Sequence, residues 1–279
     1  MSGTALQSYI DKWLAVQPQQ RIALAFVDQN THPGHIALAA FEQELLAAAY
    51  GIREPHVAAT KLNWWAEELS GAAASGGRHP LTQVLFDSDR AHEIEAERWV
   101  APVLAAMGQL EEGTAADFQA QIAAGSLLHG ALADLETAWW FGDKASSERA
   151  TRVATLSHLL YSLLRLEEDA DRDRLALPMS RLAKFGLSRN QLREASNVRN
   201  DAIRAQLDDL HNAWRESDSL PGPLSAFRGL ESRHGRTLVA KARKAGDPLD
   251  VLRQGQGRQG LGVTWQAWQA ARAWQRQIG

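Results

Sequence analysis

Apolar positions recur along this chain at spacings of three and four. The clearest stretch is Thr151–Pro178, where Val153, Leu156, Leu160, Leu163 and Leu164 form one helical face, widened by Leu159 and Leu166. Opposite them runs a narrow polar stripe of Thr151, Thr155, His158, Ser162, Arg165 and Asp169. A helix apolar around most of its circumference is buried, so this stripe must face a partner, water or a ligand. The stretch ends in five acids (Glu167, Glu168, Asp169, Asp171 and Asp173) interleaved with Arg165, Arg172 and Arg174. Acids at a helix C-terminus oppose the dipole, which favours cations there, so compensation by arginines, a metal ion or a partner is expected. Helical spacing predicts the pairs Arg165–Asp169 and Glu168–Arg172.

The same reading predicts helices over 4–16, 19–29, 34–50, 55–74, 79–87, 91–110, 114–141, 147–172, 188–217, 222–245 and 260–277. No stretch alternates with period two, and β-branched residues are scarce, so no strand is expected. The Gly, Pro and Asp breaks are too short to be domain linkers, which predicts one all-α domain over 1–279. The window 114–141 is rich in Ala and Gly and is expected to lie at the centre, where helix backbones approach closely. Ala58, Leu62, Trp65 and Leu69 form a core stripe, whereas Glu67 and Glu68 read as surface as readily as site. Trp265, Trp268 and Arg272 share a face of the last helix; closing the bundle is the expected role, and lying on a membrane surface is the other.

Composition narrows the function classes. With 45% hydrophobic and 23% charged residues and a net charge of −3, the chain reads as a cytoplasmic globular protein with no basic field for nucleic acid. The absence of cysteine removes disulfides, zinc–thiolate sites and thiol catalysis. The first residues do not read as a signal peptide, and the apolar runs are shorter than the ~20 residues of a membrane span. Ten tryptophans suggest wide gaps to fill. Gly255, Gly257 and Gly260 formally spell a dinucleotide fingerprint, but no strand precedes them and no acid follows, so a loop is expected. His32 and His35 flank a turn and are expected to serve it rather than a metal. Ser126 and His129 lie one turn apart, and an interior hydrogen bond is the expected use.

Several motifs carry a family resemblance. Phe41, Pro55, the run Lys61–Leu69 (KLNWWAEEL) and His79-Pro80-Leu81 resemble the first half of the squalene/phytoene synthase family. Glu168-Asp169, Arg172, Arg174, Leu177-Pro178 and Phe185-Gly186-Leu187 resemble its second acidic motif, E-D-x-x-R-G-R-x-x-L-P, and Trp265–Arg272 is similar to its end. The resemblance implies a single-domain helical bundle of the isoprenoid-synthase type with a central cavity. It also implies head-to-head joining of prenyl diphosphates, with Mg²⁺ held between two aspartate-rich motifs on facing helices. Such ions bridge carboxylates to diphosphate oxygens and neutralise the departing charge.

Both motifs depart from that pattern. Alignment on Pro178 puts Arg165 where the family has its first aspartate, and puts His158 and Tyr161 where it has amides. Alignment on Phe41 and Trp65 puts Leu46, Ala47 and Tyr50 at the D-D-x-x-D aspartates, leaving Glu42 and Glu44 as the nearby acids. The expectation is a divergent, non-catalytic member without catalytic residues, metal or cofactor, acting as a binding or assembly factor as the family branch resembling respiratory complex I assembly factors does; a lipid-binding protein that holds a prenyl chain without reaction is a further alternative. The resemblance implies a prenyl diphosphate or prenyl lipid as ligand and a protein partner, and the aromatic, basic last helix adds a peripheral membrane contact as an expectation. His158, Ser162, Arg165, Glu168, Asp169, Arg172, Arg174, Glu42 and Glu44 are the candidate ligand-binding residues. The alternative is an active Mg²⁺-dependent prenyltransferase in which Glu42, Glu44, Glu168 and Asp169 hold metal and the three arginines grip diphosphate.

Overall fold

The computed structural model describes residues 2–172, 174–257 and 260–278, and no strand occurs among them. In chain order the helices are α1 Ser2–Val16, α2 Gln20–Ala23, α3 Pro33–Leu46, α4 Pro55–Ser75, α5 Pro80–Phe86, α6 Asp89–Glu93 and α7 Ala96–Gln109. They continue as α8 Phe118–Phe141, α9 Glu148–Leu164, α10 Met179–Phe185, α11 Asn197–Glu216, α12 Ala226–Ala242, α13 Pro248–Gln256 and α14 Leu261–Ile278. Local chemistry sets many starts. Proline opens α3, α4, α5 and α13, where its missing N–H costs nothing. The side chains of Asp117, Ser196, Ser225 and Asp247 each accept from an N–H three residues on.

The structure corrects several boundaries. The expected helix 19–29 shrinks to α2, and 91–110 splits into α6 and α7. The helix expected from 188 begins at Asn197, where Ser196 caps it. Helices α10 and α13 lie in segments with no predicted helix. The largest correction concerns 147–172: α9 stops at Leu164, ahead of the acids, and a 3₁₀ turn follows at Asp169–Asp171. The unfavourable dipole that the acids would meet at a helix C-terminus is thereby avoided.

Two apolar cores share the molecule. One gathers α1, α3, α4, α7 and α8 around Phe41, Trp65, Trp99, Trp139 and Trp140, and the other packs α9, α11 and α12 around Leu160, Leu207, Trp214 and Val239. Helix α8 lies along α9, as its small residues predict. A Cβ on Gly125 would come 3.2 Å from Thr155 Cγ2, and one on Gly130 would come 3.3 Å from Thr151 Cγ2. The tryptophans fill the core edge-on: Trp140 meets Trp274 at 4.9 Å and Phe227 at 5.4 Å. His35 packs on Trp140 at 4.2 Å, so the His32/His35 turn is an aromatic contact.

Glu68 lies on the inward side of α4 and is buried. Its carboxylate accepts from the backbone N–H groups of Arg78 (2.6 Å) and His79 (2.9 Å), from Thr82 Oγ1 (2.6 Å) and from Arg78 Nε (2.9 Å). Burial pushes this acid up, but hydrogen bonds from Thr82, His79 and Arg78 outweigh it and hold it at about 2. A folded-state value below the unfolded one gives stability that is present above about pH 4.5 and lost as pH falls toward 2. Glu68→Ala is expected to cost roughly 2–3 kcal/mol at neutral pH, and the difference from the wild type is expected to shrink below pH 4. Urea denaturation at pH 7 and pH 3 measures both.

Candidate functional site

The last turn of α3 widens into a π-helical turn, Ala47–Gly51, which runs toward the C-terminal end of α9. There a small charged assembly joins the two. Asp169 is buried, and Arg165 Nη2 lies 3.1 and 3.0 Å from its two oxygens. Arg172 Nε lies 2.9 Å from Asp169 Oδ1. Both arginines also donate to the carbonyl of Tyr50, at 3.1 Å from Arg165 and 2.6 Å from Arg172. The two guanidinium groups thus tie one carboxylate to the backbone of the opposite element. The expected Arg165–Asp169 pair is present, whereas Arg172 pairs with Asp169 in place of Glu168, which is exposed. Asp173 lies outside the described residues.

Tyr50 organises what lies below the clamp. Its hydroxyl donates to Gln109 Oε1 (3.1 Å), and Gln109 in turn donates to the carbonyl of Ala124 (3.0 Å). Its ring stacks on His158 at 4.3 Å, and His158 meets His129 at 4.6 Å. The guanidinium of Arg174 lies over the Tyr50 ring at 5.1 Å and donates to the carbonyls of Gln109 and Glu112. Burial, reinforced by Arg174 and Arg165, lowers His158 to about 3; burial, reinforced by His158 and Arg228, lowers His129 well below the usual range. Both imidazoles are therefore neutral at physiological pH. Ser126 does not reach His129; its hydroxyl donates to the carbonyl of Ala123.

Ala39, Glu42 and Leu46 of α3, Tyr50 of the π-helical turn, and His158, Tyr161 and Ser162 of α9 are half-buried. Ser162 donates to the carbonyl of Leu159 in its own helix, so only oxygen lone pairs are left for a ligand. Glu42 accepts two hydrogen bonds from Arg228 Nη2 (2.8 and 2.9 Å). Arg228 of α12 is buried and also binds Glu136 of α8 (3.0 Å) and Glu231 of its own helix (2.6 Å). Ser225 Oγ donates to the second oxygen of Glu136 at 2.5 Å. Glu44, two residues from Glu42, points elsewhere and pairs with Lys61 (2.7 Å) and Lys12 (3.6 Å). Helical residues two apart lie about 200° apart, so one ligand cannot engage both.

His158, Arg165, Asp169, Arg172 and Arg174 therefore come together around Tyr50, while Ser162 bonds within its own helix and Glu42, Glu44 and Glu168 are dispersed. Among the described residues no three His, Asp or Glu side chains are grouped so as to hold a metal ion. The donors do not fit Mg²⁺: one carboxylate, already held by two cations, faces a backbone carbonyl, whereas Mg²⁺ takes carboxylates and phosphate oxygens. The Tyr50 carbonyl and the Arg228–Glu136–Glu231 group were missed in the sequence. Arg228 left one signal, a lone cation in the apolar run Leu-Ser-Ala-Phe-Arg-Gly-Leu.

Three carboxylates around one arginine leave excess negative charge in the core. Burial raises Glu231 to about 7 even against the pull of Arg228, and it raises Glu42 as well. A folded-state value above the unfolded one gives stability that is complete below about pH 4.5 and lost as pH rises through 7. His158 acts in the opposite sense, losing stability as pH falls from 6.5 toward 3. Glu231→Gln keeps an acceptor for Arg228 without the charge. Its melting temperature relative to the wild type is expected to rise from pH 5 to pH 8, by the equivalent of about 2–3 kcal/mol. Thermal scans at the two pH values test this.

Comparison with known proteins agrees with this architecture. The family model described as squalene/phytoene synthase matches residues 20–269. A squalene synthase, HpnC from Alicyclobacillus acidocaldarius, superposes with a TM-score of 0.63 and 17% identity, over 86% of this chain and 95% of its own. A dehydrosqualene synthase solved with a ligand superposes with a TM-score of 0.69 and 11% identity, over 98% of this chain and 99% of its own. These likenesses show the all-α isoprenoid-synthase fold. No curated protein matches the chain.

Proposed function

The chain belongs to the squalene/phytoene synthase family, and on that premise we propose that it is a non-catalytic member acting as a binding or assembly factor. The observation that carries this reading is the clamp of Arg165 and Arg172 on Asp169 and the Tyr50 carbonyl. In a metal-dependent synthase of this kind, divalent cations stand between two acidic motifs and a diphosphate. Here two fixed monovalent cations stand between one acid and a backbone carbonyl. They neutralise the site without offering an open coordination position.

The half-buried side chains beside the clamp suit a slender apolar ligand. Tyr50 and His158 present stacked rings, Leu46 and Ala39 present alkyl surface, and both histidines near Tyr50 are neutral. A prenyl lipid fits these side chains, and the clamp arginines offer contacts to a phosphorylated head. Arg165, with 39% of its side chain exposed, is the more accessible of the two clamp arginines. Held in this way, the ligand would be presented to a protein partner rather than consumed.

Incubation with farnesyl or geranylgeranyl diphosphate and Mg²⁺ is expected to yield no coupled product by mass spectrometry. Native mass spectrometry of the purified protein is expected to show a bound prenyl lipid. Metal-dependent coupling at an ordinary enzymatic rate, of about 1 s⁻¹ or more, would sink the non-catalytic reading in favour of the prenyltransferase.

A further inference from the structure

Among the described residues no helix is long and apolar enough to cross a membrane. Helix α14 nevertheless carries exposed apolar side chains along one face. Its inner side is settled, with Val263, Ala267, Ala270, Ala271 and Trp274 buried in the main core. Its outer side presents Leu261, Trp265, Trp268, Arg272 and Arg276, at successive spacings of four, three, four and four, which is one row along a helix. Leu261 is 90% exposed and Trp265 56% exposed. Trp265 stacks on Trp268 at 4.6 Å, and the Arg272 guanidinium covers Trp268 at 5.1 Å. The two indoles are thus held outward by each other and by an arginine.

Charge on this face has one sign. Helix α14 contains no Asp or Glu, and its ionised side chains are Arg272 and Arg276. Exposed Arg233 of α12 reaches over to donate to Gln269 Oε1 of α14 at 3.2 Å, and Arg21 on the neighbouring α2 is exposed as well. A scattered surface leucine needs no explanation. A row of leucine, two stacked tryptophans and two arginines, flanked by further arginines, does.

We propose that this face docks on an anionic lipid bilayer. Leu261, Trp265 and Trp268 would lie at the boundary of headgroups and acyl chains, where amphipathic indoles are favoured, with Arg272, Arg276 and Arg233 on lipid phosphates. A second copy of the chain is a poorer occupant. One row of a single helix offers far less than the roughly 800 Å² per partner of a stable interface, and two such faces would bring four helix arginines together. Binding of this kind is reversible, because a few interfacial side chains supply modest affinity.

The test is cosedimentation of the full chain with vesicles of phosphatidylcholine, with and without phosphatidylglycerol. The wild type is expected to pellet with the anionic vesicles and to release at high salt. L261S/W265S is expected to bind about tenfold more weakly, and R272E/R276E to lose the preference for phosphatidylglycerol. These side chains are exposed, so unchanged circular dichroism is expected of both variants. Quenching of wild-type tryptophan fluorescence by brominated lipid gives a reading that needs no variant. The proposal is overturned by equal binding to neutral and anionic vesicles, by variants that bind like the wild type, or by absent quenching. It is also overturned if the wild type is a dimer that W265S makes monomeric.

Discussion

One carboxylate held by two guanidinium groups sets the character of this molecule. Asp169 sits where the chain leaves α9, and Arg165 and Arg172 fix it while both reach across to the carbonyl of Tyr50. That reach anchors the π-helical turn after α3, which places the Tyr50 ring on His158 and under Arg174. A divalent ion in that position would need several oxygen ligands and would leave coordination sites for a substrate. Two arginines hold the same acid, Arg165 by a hydrogen bond and Arg172 as an ion pair, and leave none. The site is thereby turned from one that recruits charge into one that is already neutralised.

Three charge environments follow from this arrangement: arginines paired with Asp169, two neutral histidines beside Tyr50, and the buried Arg228 with Glu42, Glu136 and Glu231. A buried arginine with three acids is a costly device for stability alone, because desolvation offsets much of the attraction. Its effect is geometric: it ties α3, α8 and α12 to one another through one side chain.

Much of the fold was legible because it rests on local pattern. The apolar face of α9 and the Ala58–Leu69 stripe of α4 specify buried helices by periodicity, and Val153, Leu156, Leu160 and Leu163 and the whole α4 stripe are buried, whereas of the Ala and Gly residues of α8 only Gly125, Ala133 and Ala138 are. Short helices such as α10 and α13 were not legible, since seven to nine residues carry too little periodicity. The site was half legible. The pair Arg165–Asp169 follows from helical spacing, and it survives even though α9 ends at Leu164, because one turn still separates the two residues. The partner of Arg172 could not be read, since it depends on where the helix stops. Nor could the Tyr50 carbonyl, a backbone group without a sequence signature, or the Arg228 group, in which Arg228 itself lies 186 residues from Glu42.

The central claim is that arginine, not metal, occupies the junction between α3 and α9. The most direct measurement is Mn²⁺ titration followed by electron paramagnetic resonance, with inorganic pyrophosphate present, on the wild type and on Asp169→Asn. The account predicts no stoichiometric Mn²⁺ binding by the wild-type protein and no difference between the two. One or more tightly bound Mn²⁺ ions per chain, lost in Asp169→Asn, would contradict it.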